Sequence, residues 1–161
     1  MAVLHDILAS YRAPAAVVSR ILARGTHEGR ALAFCMGSCA LMFVAQWPVL
    51  ARKAHLTDAA LDMIMGGALL GTVFILPLLL YTLAGLLHLV LGKITGRGSG
   101  FGARVAVFWA LMAAVPLALL NGLTLGFVGP GGAASLVGLL WFASLIWMVI
   151  GGLRHVYGTH S

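Results

Sequence analysis

Four long apolar stretches dominate this chain. They cover residues 31–51, 66–92, 103–128 and 133–153, and each reaches the roughly 20 residues that a helix needs to cross a bilayer. Hydrophobic residues make up 61% of the 161 residues and charged residues only 9%, against about 45–50% and 25% in soluble domains. Because a soluble domain of this size buries only about 70% of its unfolded surface, water-soluble and disordered proteins are excluded. We predict an all-α polytopic integral membrane helix bundle with four transmembrane helices.

Basic residues orient the predicted spans. Cytoplasmic loops of membrane proteins carry an excess of Lys and Arg. One side of the bundle holds Arg12, Arg20, Arg24, Arg30, Lys93, Arg97, Arg104 and Arg154, and the other holds only Arg52 and Lys53. Both termini are therefore expected in the cytoplasm. The prevalence of Arg, Ala and Gly indicates a bacterial source, so we expect a multi-pass protein of the bacterial inner membrane.

Residues 1–30 form a separate cytoplasmic or interfacial segment before the transmembrane domain of residues 31–157, and residues 158–161 are a tail. Val17, Val18, Ile21 and Leu22 fall on one helical face, and Pro14 suits a helix start. We expect an amphipathic helix lying in the interface. The alternative is a helix packed on the bundle. The basic side chains expected near lipid headgroups are Arg12, Arg20, Arg24, Lys93 and Arg97.

Small residues and prolines mark the expected helix contacts within the spans. Gly67 and Gly71, and likewise Gly122 and Gly126, are spaced four apart, as in closely packed membrane helices. The second helix is expected to begin before the lipid, to bend near residues 66–67, and to kink near Pro77.

Motifs for chemistry are missing from the sequence. It contains no HExxH, GxSxG, Walker or CxxC pattern, so we expect neither an enzyme nor a cofactor or metal. Cys35 and Cys39 are expected to be buried, inert thiols. The basic residues are scattered, without the clusters that bind nucleic acid. His88 and Asn121 are the polar side chains within spans that we single out as possible functional groups.

Several segments together resemble one family. They are an amphipathic segment from Tyr11 to Leu22 containing Pro14, a span ending Leu86-Leu87-His88-Leu89-Val90-Leu91-Gly92-Lys93 before a glycine-rich loop, Val107-Phe108-Trp109-Ala110 followed by Val115-Pro116, and a closing Ile146-Trp147-Met148-Val149-Ile150-Gly151-Gly152-Leu153-Arg154. This set resembles the bacterial branch of the Yip domain family, relatives of the Ypt/Rab-interacting membrane proteins.

The resemblance implies a small polytopic membrane protein. Eukaryotic members of the family bind small GTPases through a longer chain with an Asp-Leu-Tyr-Gly-Pro motif and five spans. This chain has no such motif and four predicted spans, so GTPase binding is not expected, and the resemblance transfers no catalytic residue.

Two functions remain open at this point. The first is a non-catalytic accessory subunit, assembly factor or membrane organiser that acts through helix packing and contact with lipids and other membrane proteins, itself included. The alternative is a small transporter or channel subunit whose pathway is lined by Pro77, His88, Pro116 and Asn121.

Overall fold

A computed structural model describes residues 2–158 of the chain, and within that range every regular element is helical. The six helices are α1 (Ala2–Ser10), α2 (Pro14–Ala23), α3 (Glu28–Thr57), α4 (Leu61–Thr95), α5 (Gly100–Phe127) and α6 (Gly132–Tyr157). Helices α3 to α6 are long and apolar enough to cross a membrane. The predicted all-α bundle is confirmed, and the chain is a multi-pass membrane protein.

Helix α5 lies at the centre of the bundle. Two thirds (67%) of its most apolar segment is buried inside the protein, against 11% for both α4 and α6. Its buried face is built largely from alanines, whose small side chains let neighbouring helices approach closely: Ala103, Ala106, Ala110, Ala113, Ala114 and Ala118. Helices α3 and α6 pack most extensively against it. The outer faces of α4 and α6 expose apolar side chains.

The two ends of the bundle differ in charge, and we name them accordingly. The basic end holds Arg30, Lys93, Arg104 and Arg154. It also holds the contact between Tyr157 at the end of α6 and the loop before α5, where a Cβ atom on Gly98 would lie 2.4 Å from the tyrosine ring. Gly98 has a φ of +84°, so both its backbone and the ring require glycine there. The opposite end holds Arg52, Lys53 and Gly129.

Helix α4 contains an irregular segment, but not at the glycines where the bend was expected. Gly66 and Gly67 lie within the regular α-helical part Leu61–Leu69. The backbone instead widens into a π-helix over Leu70–Ile75 and returns to an α-helix at Leu76. Pro77 has no N–H for the carbonyl of Val73, and a π-helical turn directly before a proline is one way to accommodate that missing bond.

The N-terminal segment is a helical hairpin folded onto the bundle. Val17, Val18 and Ile21 are buried, with exposed fractions of 0%, 1% and 3%, and α2 packs mainly against α6 and α5. The apolar stripe of α2 therefore faces protein, which is the second of the two arrangements that the sequence left open. The segment was expected to lie in the interface, and the structure instead packs it on the bundle as two helices joined at a turn before Pro14.

Candidate functional sites at the two ends of the bundle

An ordered network fixes the N-terminal hairpin against α5. The indole Nε1 of Trp109 donates to Ser10 Oγ at 2.9 Å, and the hydroxyl of Tyr11 donates to the carbonyl of Ala113 at 3.0 Å. Burial raises the pKa of the Tyr11 phenol above its ordinary value. Ala113 lies 13 residues into α5, about 20 Å along the helix at 1.5 Å per residue. The turn of the hairpin therefore enters the bundle well below its basic end.

Both carboxylates at the basic end are paired. Asp6 forms an ion pair with Arg20, with 3.1 Å between Asp6 Oδ1 and Arg20 Nη2. Glu28 forms an ion pair with Arg104, whose Nε lies 3.2 Å from Glu28 Oε2. Arg30 donates to the carbonyls of Ile21, Arg24 and Gly25 at the end of α2, where a cation is favoured by the helix dipole. The carboxylates therefore bridge neighbouring segments of the fold and leave other basic groups unneutralised.

An open cavity of about 540 Å³ lies beside α4 at the basic end. His88, Lys93 and Arg97 line it together with glycines of α4 and of the loop that follows. The Nδ1 of His88 shares a hydrogen bond of 2.7 Å with the Tyr157 hydroxyl. Lys93 and Arg97 are exposed, and the ion pairs found between residues 2 and 158 include neither. The cavity thus presents cationic side chains next to an apolar helix.

The residues proposed to line a pathway do not come together. His88 lies against the first residue of α5, since a Cβ atom on Gly100 would be 3.3 Å from its ring. Asn121 lies 21 residues further along α5, about 31 Å away along the axis. Pro116 is exposed on the outside of α5, and Pro77 is buried in α4. A single chain therefore forms no continuous path from these four residues.

The two glycine pairs have different surroundings. Gly122 and Gly126 lie directly against α3, where Cβ atoms would fall 1.8 Å from the Ala45 carbonyl oxygen and 2.3 Å from Pro48 Cβ. A Cβ atom on Gly67 or Gly71 would meet no heavy atom within 4 Å. The close helix contact expected at Gly67 and Gly71 is therefore not made within this chain.

One side-chain hydrogen bond joins α3 to the π-helical segment of α4. Gln46 Nε2 donates to Thr72 Oγ1 at 2.8 Å and to the Met42 carbonyl at 3.3 Å. Thr72 is buried, so this hydrogen bond lies inside the bundle.

We expect Gln46→Leu and Thr72→Val to show a coupling energy of about 0.6 kcal/mol, and no more than about 1.7, as for other hydrogen bonds between membrane helices. A double-mutant cycle on unfolding in detergent measures it. Strictly additive effects would mean that the bond does not hold the widened turn.

Several residues of these sites were not found by sequence reasoning. Asp6 and Ser10 are spaced four apart on α1 and both are buried, a polar stripe that could have indicated a partner on the bundle. Tyr157 and Trp109 carried no local signal, because their partners lie 69 and 99 residues away.

Comparison with protein-family models, curated proteins and solved structures finds no match to this chain. A function for this chain is therefore proposed from its sequence and its structure.

Proposed function

We propose that this chain is a non-catalytic protein of the bacterial inner membrane, with both termini in the cytoplasm, that acts as an accessory subunit, assembly factor or membrane organiser through helix packing and lipid contact. The observation that carries the proposal is the cationic cavity at the basic end, where exposed Lys93 and Arg97 flank an apolar helix. The proposal keeps the sequence resemblance to bacterial Yip-domain proteins, which implies a small polytopic membrane protein and no particular activity.

Charge balance supports binding of anionic lipid at this end. Asp6 and Glu28 are already paired with Arg20 and Arg104. Cationic side chains near a membrane surface each contribute about 1 kcal/mol to attraction of anionic lipids. Lys93 and Arg97 reach the depth of lipid phosphates, while the exposed apolar side chains of α4, such as Leu86 and Leu89, contact the acyl chains.

Helix packing supports the second half of the proposal. Helix α4 is only 11% buried in its most apolar segment, and Gly67 and Gly71 stay uncovered on it. Small residues let membrane helices approach closely. An additional helix, from a second copy or another membrane protein, is the contact that we expect in the assembled state.

Neutralising the cationic cavity tests the lipid contact. We expect the double variant Lys93→Gln/Arg97→Gln to bind dioctanoyl-phosphatidylglycerol about 30-fold more weakly, since two contacts of about 1 kcal/mol are lost. Native mass spectrometry of the protein titrated with the lipid in mild detergent provides the measurement. Lys53→Gln, at the opposite end, is the control and should bind as the natural chain does.

Two results would contradict the proposal. One is equal binding of phosphatidylcholine and phosphatidylglycerol, which would remove the role of charge. The other is a protein purified from its own membranes as a monomer with neither lipid nor a stoichiometric partner retained.

A further inference from the structure

A second, smaller cavity lies in the half of the bundle away from the basic end. It has a volume of about 210 Å³ and lies between α3, α5 and α6. Its wall is mostly apolar, with Val49, Leu50 and Leu125 among its residues, and its polar side chains are Gln46, Asn121 and Trp141. Small-molecule sites commonly have this composition, an apolar wall with a few convergent polar groups.

Two buried polar atoms on this wall have no hydrogen-bond partner. They are Asn121 Oδ1 and Trp141 Nε1, and no other such side-chain atoms occur in the described part of the chain. The amide oxygen is an acceptor, and the indole nitrogen is a donor. Buried polar groups in native proteins are almost always satisfied. An acceptor and a donor left on the same wall therefore indicate a group that can donate to one and accept from the other.

The protein itself does not supply that group. The amide nitrogen of Gln46 already donates to Thr72 and Met42. Gly138 on α6 faces the side-chain amide of Asn121 on α5, and a Cβ atom at position 138 would lie 3.5 Å from Asn121 Oδ1. Because position 138 has no side chain, α6 places no donor there beside the amide oxygen, which stays without a partner.

The charge and depth of the cavity define what it can take. No ionisable side chain lines it, and burying a charge in such surroundings is costly, so the ligand is neutral. Gln46 precedes Arg52 by six residues, which places the cavity about 9 Å below Arg52 along α3. This is the depth of the upper acyl chains, where a ligand enters from the lipid and not from water.

We propose that this cavity binds the hydroxyl group of a neutral membrane amphiphile. The hydroxyl donates to Asn121 Oδ1 and accepts from Trp141 Nε1, while the first carbons of its chain lie among Val49, Leu50 and Leu125. The inference does not rest on the function proposed above, because it concerns residues at the other half of the bundle.

Thermal unfolding with a pair of matched probes tests the site. The full chain is purified in lauryldimethylamine N-oxide, a detergent without a hydroxyl group, and titrated with 1-decanol or with decyl methyl ether. Decanol should raise the midpoint by about 3–5 °C near saturation. The ether can still accept a hydrogen bond from Trp141 Nε1 but cannot donate one to Asn121 Oδ1, so it should raise the midpoint clearly less than decanol at the same concentration. Dioctanoylglycerol in a third titration distinguishes a glycerolipid from a simple alcohol as the better ligand.

Two variants and a control assign the effect to the cavity. Asn121→Leu and Trp141→Phe should each weaken decanol binding about tenfold, as expected for loss of one hydrogen bond. Asn121→Leu without decanol should unfold at or above the midpoint of the natural chain, because it removes an unsatisfied buried oxygen. Thr124→Val, on α5 but outside the cavity, should respond to decanol as the natural chain does.

Equal shifts with the alcohol and the ether would overturn the proposal, because they would show partitioning without recognition of the hydroxyl. A decanol response that survives in both cavity variants would overturn it as well. A third contradictory result would combine two observations: decanol does not stabilise the natural chain, and Asn121→Leu unfolds at a lower temperature than the natural chain. The amide would then serve only to stabilise the fold.

Discussion

Replacing Trp109 by alanine is expected to lower the free energy of unfolding by about 3–5 kcal/mol, the cost of removing a large buried aromatic side chain. Trp109 is 2% exposed. Its ring packs edge-on against Phe34 with centroids 5.0 Å apart, and its indole N–H holds Ser10 of the hairpin. One substitution therefore opens a cavity beside α5 and releases the N-terminal segment.

Two measurements check this expectation. Equilibrium unfolding in detergent should show the loss of stability, and trypsin should cleave faster after Arg20 and Arg24 in the variant, because the hairpin has lost its contact with α5. Trp147→Ala is the matched control. Trp147 is 53% exposed on α6 and should change stability little. Equal losses in the two variants would contradict the central position of Trp109.

Gly122→Ala is the second substitution with a large expected effect, about 3 kcal/mol or more of destabilisation. Overpacking a core ordinarily costs about 1–3 kcal/mol when side chains can adjust. At Gly122 the new methyl group would lie 1.8 Å from the backbone oxygen of Ala45, so α3 and α5 would have to move apart as whole helices.

Gly67→Ala is the control for this prediction. A methyl group at position 67 meets nothing within 4 Å, and alanine is favoured over glycine in a helix by up to about 1 kcal/mol. Unfolding in detergent should rank Gly67→Ala at or above the natural chain and Gly122→Ala well below it. If both alanine variants unfold like the natural chain, the close contact between α3 and α5 is not important for stability.

The four spans could be predicted because each is encoded locally. Every predicted span lies within or almost within one of the helices α3 to α6, and the observed helices extend beyond the apolar stretches, as with α3 from Glu28 to Thr57. The backbone hydrogen bonds of a helix form between residues four apart, and apolar side chains are stable in lipid wherever the helix lies in the bundle. The number of spans therefore follows without knowledge of the neighbours.

The irregular turn of α4 shows the limit of local prediction. The sequence predicts a bend at Gly66 and Gly67, because glycine weakens helices, and a kink near Pro77. The π-helical widening lies instead at Leu70–Ile75, next to Pro77 and at the hydrogen bond from Gln46 to Thr72. The widening coincides with a proline and with a partner on another helix, and the sequence of α4 contains only the first.

The sites divide in the same way. Lys93 and Arg97 could be assigned to one end of the bundle because positive residues cluster on one side of the predicted topology. Three features could not be predicted from the sequence. They are the ion pair of Asp6 with Arg20, the hydrogen bond from Tyr11 to the Ala113 carbonyl, and the cavity lined by Gln46, Asn121 and Trp141. Each depends on which faces of separate helices meet, and small-residue spacings at Gly67 and Gly122 look alike in sequence although only the second is covered.

The sequence by itself determined that this chain is an all-helical membrane protein with four spans and one strongly basic end, because hydrophobic length and charge act residue by residue on the lipid and its surface. Only the tertiary structure decided that α5 is the central helix, that the N-terminal hairpin enters the bundle, and that two buried polar atoms share one cavity. Those outcomes depend on close packing between distant segments, where a missing Cβ or a single hydrogen bond selects the neighbour.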